Sequence, residues 1–128
     1  MSPHAPGAAP DGARAVVYKI VADTVWREAA AAGRFVGAGV DLADGYIHFS
    51  TAAQVRDTAA KHFAGQTGLL LVAVDAHALA GALRWEPSRG GDLFPHLYDD
   101  LPMGAVQWAV PLPVGLDGRH AFPASLEM

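Results

Sequence analysis

A chain of 128 residues with a net charge of −4 is long enough for one packed domain and too short for two. Its 9 Lys and Arg residues never form a run, which argues against a nucleic-acid polymer as partner. Cysteine is absent, so disulfide scaffolds, thiolate metal sites and cysteine nucleophiles are excluded.

Residues 1–14 are rich in Pro, Gly and Ala, lack periodicity, and have neither the basic start nor the apolar core of a secretory signal. They are expected to be a disordered tail on a cytoplasmic protein. Residues 15–113 are expected to form a single α+β domain. Its first strand falls at 16–21, where Val, Tyr, Lys and Ile follow one another. Asp23 or Thr24 is placed to cap a helix over 25–32, and Gly33 suits its left-handed end. Residues 33–45 read as a glycine-dense loop holding Asp41 and Asp44. The glycines at 37, 39 and 45 miss the dinucleotide spacing G-x-G-x-x-G.

Residues 45–50 predict a short strand running directly into a helix over 51–63, where Thr51 and Gln54 form a capping box. Ala52, Val55, Ala59 and Phe63 then share one helical face. Residues 69–74 are a continuous apolar run, read as a central strand buried on both faces. They form the longest apolar stretch, far below the roughly 20 residues that cross a membrane. A helical turn is expected at 75–80 and a strand at 83–86, stopped by Pro87. Residues 88–98 read as a loop mixing glycines with aromatics. Residues 105–110 alternate as a half-buried strand with Val106, Trp108 and Val110 on one face. Residues 114–128 are expected to be a loose tail. The order β-α-β-α-β-β-β fits α+β better than regular βαβ winding.

Three stretches carry candidate chemistry. Strand alternation puts Tyr46, His48 and Ser50 on one face, with neighbours on it roughly 6.6 Å apart, close enough for His48 and Ser50 to meet one ligand. The plain alternative is a half-buried histidine and a serine that assists the helix cap. The adjoining helix start at Thr51 favours an anionic group nearby. Glu86, between Trp85 and Pro87 and followed by Arg89, suits acid–base work or a grip on a sugar hydroxyl; equally, it is an edge glutamate paired with an arginine. Trp85 is either core or a stacking platform. The run Phe94-Pro95-His96-Leu97-Tyr98 after Gly90-Gly91 resembles an aromatic lid over a cleft, or else a loop pinned over the core. His4, His62, His77 and His120 sit in tails or solvent-facing positions and receive no role. His48, His96 and Glu86 match the residue types of a two-His, one-carboxylate metal site, but their spacing fits no ligand motif, and no metal is assigned. The catalytic candidates are therefore His48, Glu86 and His96.

The strings G-Y-I-H-F-S-T-A-A-Q-V at 45–55 and W-E-P-S-R-G-G-D-L-F-P-H-L-Y at 85–98 resemble the bacterial family called domain of unknown function 952. Tyr18-Lys19-Ile20, Trp26, Asp41 and Asp44-Gly45 sit where that pattern expects them, and Asp99 departs from it. The resemblance covers about residues 16–112. It implies an ADP-ribosyltransferase-like fold: small antiparallel sheets forming a cleft, with two or three short helices. It also implies NAD or an ADP-ribose-type nucleotide as substrate or ligand; no cofactor is assigned. Tyr18 or Lys19, then His48 with Ser50, then Glu86 would meet that ligand. Breaking a nicotinamide–ribose bond develops positive charge on the sugar, which a carboxylate stabilises in the transition state. Thr51, Trp85, Arg89, Phe94 and Tyr98 complete the expected substrate-binding set. The expectation is thus a small-molecule-site protein, an enzyme or a binder of such a nucleotide, with a non-nucleotide enzyme or a non-catalytic binding module as alternatives, and with oligomeric state open.

Overall fold

The computed structural model describes residues 16–127, except for the side chains of Arg89, Ser125 and Glu127. The expected tail over 1–14, with His4, lies outside the described residues. The elements run β1 (Val16–Ala22), α1 (Asp23–Ala32), β2 (Arg34–Phe35), α2 (Val40–Asp44), β3 (Ile47–His48), α3 (Ala52–His62), β4 (Leu69–Asp75), β5 (Leu83–Ser88), β6 (Asp92–Leu97), β7 (Leu101–Pro102) and β8 (Val106–Pro111). Short 3-10 turns fill Ala76–Ala82, Arg89–Gly91, Met103–Ala105 and Ala124–Glu127.

Two three-stranded antiparallel sheets, ordered β1-β4-β8 and β3-β6-β5, are accompanied by a small separate β2-β7 pair. The result is a mixed α+β architecture of small sheets and a few helices. β4 sits centrally because its period of two feeds two cores at once. Leu69, Leu71 and Ala73 pack with Val55 and Ala59 of α3, whereas Val72 and Val74 pack with Trp26, Ile47, Phe49 and Trp85. β1 divides in the same way. Lys19 therefore falls between Val17 and Val21 on a face that is otherwise apolar.

α3 begins as the sequence predicts. Thr51 Oγ1 accepts from Gln54 N at 3.2 Å, and Gln54 Oε1 accepts from Thr51 N at 3.0 Å. Gln54 also donates to the Leu93 carbonyl, which ties α3 to β6. This rigid junction fixes the strand end that carries His48.

Several expectations are corrected. Ala22, without a side-chain cap, precedes α1; Asp23 lies in the first turn and pairs with Arg27 at 2.8 Å. The expected loop over 33–45 contains β2 and α2, because Arg34 and Phe35 pair with Pro102 and Leu101 and the glycines bound a single helical turn. β5 runs through Pro87 to Ser88. The expected aromatic lid is instead β6, paired on both sides. Phe94, Pro95, His96 and Leu97 are all buried, and Gly90-Gly91 merely turns the hairpin. The segment after Pro113 is not loose. Val114 bridges His120, and Leu126, 2% exposed, enters the α3-side core. Among the described residues no helix is long and apolar enough to cross a membrane.

Candidate functional site

The site begins with Lys19. Its burial between two valines requires a countercharge, since an unpaired buried ammonium is very costly. Asp41, the second residue of α2 and only 2% exposed, supplies it. Lys19 Nζ lies 3.0 Å from Asp41 Oδ1 and 2.8 Å from Oδ2. The backbone N–H groups of Ala38 and His48 donate to the same carboxylate at 3.1 and 3.0 Å. Burial acts to raise Asp41, but the His48 bond and the Lys19 charge outweigh it and hold the carboxyl down at about 2. Burial lowers the Lys19 ammonium, against the opposing pull of Asp41.

His48, at the end of β3, extends this network. Its Nδ1 is 2.6 Å from Asp41 Oδ1 and its Nε2 is 2.9 Å from Asp44 Oδ2. Ionised carboxylates only accept, so both bonds form together only when both ring nitrogens carry hydrogen.

Antiparallel register sets His96 of β6 opposite His48, with ring centroids 5.4 Å apart. His96 Nδ1 lies 2.8 Å from Glu86 Oε1, and the Tyr98 hydroxyl donates to that oxygen at 2.7 Å. The His96 bond is the main cause holding the Glu86 carboxyl below its usual range, against partial desolvation; Tyr98 and Arg84 assist. The same bond to Glu86 raises the Tyr98 phenol to about 12. Burial lowers His96, opposed by Glu86 and reinforced by His48. That lowering favours the neutral imidazole, and in that form the Nδ1 hydrogen is directed at the ionised Glu86. Its Nε2 has no hydrogen-bond partner among the described residues. Tyr46 stacks on His96 at 4.2 Å and touches His48 and Tyr98 at 4.6 and 5.1 Å, holding the imidazoles in place.

A cavity of about 600 Å³ opens beside this pair, a volume suited to a small ligand. Lys19, Asp41, His48, Ser50 and His96 form its polar side, while Val21, Val25, Val40, Phe63 and Phe94 supply apolar wall.

Of the sequence-predicted residues, the cavity gathers His48, His96, Lys19, Ser50 and Phe94. Ser50 Oγ is bonded to Thr58 Oγ1 at 2.9 Å. Glu86 stands behind His96 and does not line the cavity, so it meets the site through the imidazole. Thr51 is a helix cap, Trp85 is core, and Tyr98 is an exposed partner of Glu86 outside the cavity. The Arg89 side chain lies outside the described residues. No two-His, one-carboxylate metal arrangement forms among the described residues, because both His48 nitrogens face Asp41 and Asp44 while Glu86 holds His96 Nδ1. Sequence reasoning missed Asp41 and Tyr46 as site residues, and His62, given no role, lines the cavity. The available signal for Asp41 was Lys19 itself, a lysine inside an apolar strand that must find an acid.

Residues 20–109 match the family described as Protein of unknown function (DUF952). The chain is similar to the crystal structure of protein CC0527 from Caulobacter crescentus, at 45% identity and a TM-score of 0.84, over 88% of this chain and 99% of that one. The solution NMR structure of CC0527 matches at 47% identity and a TM-score of 0.75, over 83% and 91% of the two chains. Among curated proteins nothing matches. With that match spanning residues 20–109, well over half of the chain, the protein belongs to the DUF952 family.

Proposed function

We propose that the cavity binds NAD or an ADP-ribose-type nucleotide, and that the protein is an enzyme acting on its N-glycosidic bond. The observation that carries this reading is His96: it lines the cavity, its Nδ1 is held by Glu86 at 2.8 Å, and its Nε2 has no hydrogen-bond partner among the described residues. A histidine backed by a carboxylate is a standard proton-transfer group. The ADP-ribosyltransferase-like arrangement supports the ligand class. It calls for one group on the first strand, one on a strand entering a helix and a carboxylate on a later strand. Lys19 and His48 with Ser50 suit the first two places on the cavity wall, whereas Glu86 stands behind His96. Phe94 and Phe63 offer aromatic wall for a ring. In this reading Glu86 acts by supporting His96 as charge moves, not by gripping the ribose.

Thermal unfolding with NAD, ADP-ribose and nicotinamide tests the reading. A ligand at 100 times its dissociation constant adds about 2.7 kcal/mol of stability. No shift from any of them removes the nucleotide proposal. A shift from NAD, with NAD intact after overnight incubation, leaves a binding module.

One observation favours a second reading, an enzyme for an uncharged, non-nucleotide small molecule. Lys19 and Asp41 cancel each other on the wall at 2.8 Å, which leaves a diphosphate no uncommitted lysine there among the described residues.

A further inference from the structure

Resting on the second reading, an uncharged ligand in the same cavity, we infer that this ligand is a short extended peptide that adds to β1 as a strand. Consecutive residues of β1, from Tyr18 to Ala22, line the cavity. Side chains alternate between the two faces of a strand, so a cavity touched by every residue in turn runs along the strand's edge. β4 covers one edge of β1, and the cavity lies along the other.

The backbone of that edge lacks partners. Tyr18 exchanges both hydrogen bonds with Ser50, each at 2.8 Å, so the even-numbered residues of β1 turn their N–H and C=O groups away from β4. Continuing that register would set His48 opposite Ile20. Instead His48 N–H donates to Asp41, Phe49 N–H donates to the Pro95 carbonyl of β6, and β3 leaves β1. Ile20 N–H and C=O and Ala22 N–H therefore face the cavity, with no hydrogen-bond partner among the described residues. Ile20 is only 6% exposed, and backbone groups at that depth are nearly always paired.

A peptide running antiparallel to β1 pairs all three groups. One of its residues exchanges both bonds with Ile20, and the carbonyl two residues earlier accepts from Ala22, roughly 6.6 Å further on. A single amide would satisfy Ile20 and leave Ala22 unpaired, so the peptide repeat is the better match. Val25 and Phe63 pack into the cores on opposite faces of β1, and both line the slot, which suits apolar side chains. Lys19 and Asp41 neutralise each other there, which suits a ligand without charge.

The full chain is titrated by calorimetry with three blocked tripeptides, acetyl-Ala-Val-Ala-amide and its analogues with Leu or Phe at the centre, and its backbone amides are followed by NMR. In the free protein the Ile20 and Ala22 amide hydrogens are expected to exchange faster than those of Lys19 and Val21, which bond to β4. At least one peptide is expected to bind, to move the Ile20 and Ala22 signals and to slow their exchange. Methylating the central nitrogen of that peptide removes the donor to Ile20 C=O and is expected to weaken binding about 10-fold or more. Ala22→Pro removes the third group, and the backbone there already sits at φ −63°, where proline fits. This variant is expected to keep its melting temperature and to bind the peptide about 3- to 10-fold more weakly. Equal binding of the methylated peptide, unchanged binding by Ala22→Pro, or Ile20 and Ala22 amides protected in the free protein overturns the inference. Failure of all three peptides overturns it as well. The second reading survives that failure if NAD gives no melting shift, and falls with it if NAD does.

Discussion

Asp41 grips Lys19 with both carboxylate oxygens, at 3.0 and 2.8 Å, and that pair pins α2 to β1. Apart from the bonds of Asp41 and Asp44 to His48, α2 has little apolar anchorage: Val40 and Leu42 are 59% and 64% exposed. Its seat on the cavity is therefore electrostatic more than apolar.

Removing one partner leaves the other charge buried. Asp41→Ala is expected to cost about 3–5 kcal/mol in urea unfolding, whereas Lys19→Met combined with Asp41→Leu recovers most of that loss. Equal stability of the single and double variants would show that the pair is not coupled.

The acid stability of the fold carries the same signature. Asp41 is held at about 2 against an ordinary 3.8, worth about 2 kcal/mol. A depressed carboxyl stabilises the fold above its unfolded value, and that contribution is lost as pH falls from about 4 toward 2. His96 adds an earlier loss: its pKa is lowered, so the unfolded chain takes up the proton first as pH drops below 6.5. Glu86, also held below its usual range, adds to the lower loss. Stability measured against pH is expected to fall in these two steps, and Asp41→Asn is expected to shrink the lower one.

Gly37 lies where Asp41 is set. Its φ is +107°, and an added Cβ would stand 3.0 Å from Asp41 Cβ. Gly37→Ala is expected to cost about 1–3 kcal/mol and to weaken ligand binding. Gly33→Ala, also at positive φ but with nothing within 4 Å, is expected to cost about 1 kcal/mol and leave binding intact. Matched losses from the two would contradict this account of α2.

Ala80 adopts φ 51° and ψ −135° in the turn before β5, a backbone region that glycine occupies more readily. Ala80→Gly is expected to raise stability by about 1 kcal/mol in chemical denaturation. A loss of stability would show that the turn is not strained there.

The parts of the fold legible in sequence were those with strong local signals. The Thr51–Gln54 capping box, the doubly buried β4 and the alternating β8 all appear where periodicity and capping chemistry place them. β6 was hidden because Gly90, Gly91 and Pro95 are loop residues by local rules. Yet Pro95 sits opposite Trp85 and still offers its carbonyl to Phe49 N. Leu126 gave no periodic signal for the packed end of the chain. His48 and His96 stood out as chemistry, but their shared wall depends on the β3–β6 register, which no local pattern encodes. Asp41 was obscure for the same reason: its meaning lies in Lys19, 22 residues away.

The most direct measurement is the nitrogen NMR spectrum of the histidine side chains near neutral pH, recorded with and without NAD. His96 is expected to show a protonated Nδ1 and an unprotonated Nε2, with the Nε2 signal moving as NAD binds. A protonated Nε2 in the free protein, or an Nε2 signal that stays fixed while NAD shifts the melting temperature, would contradict a base poised against the ligand.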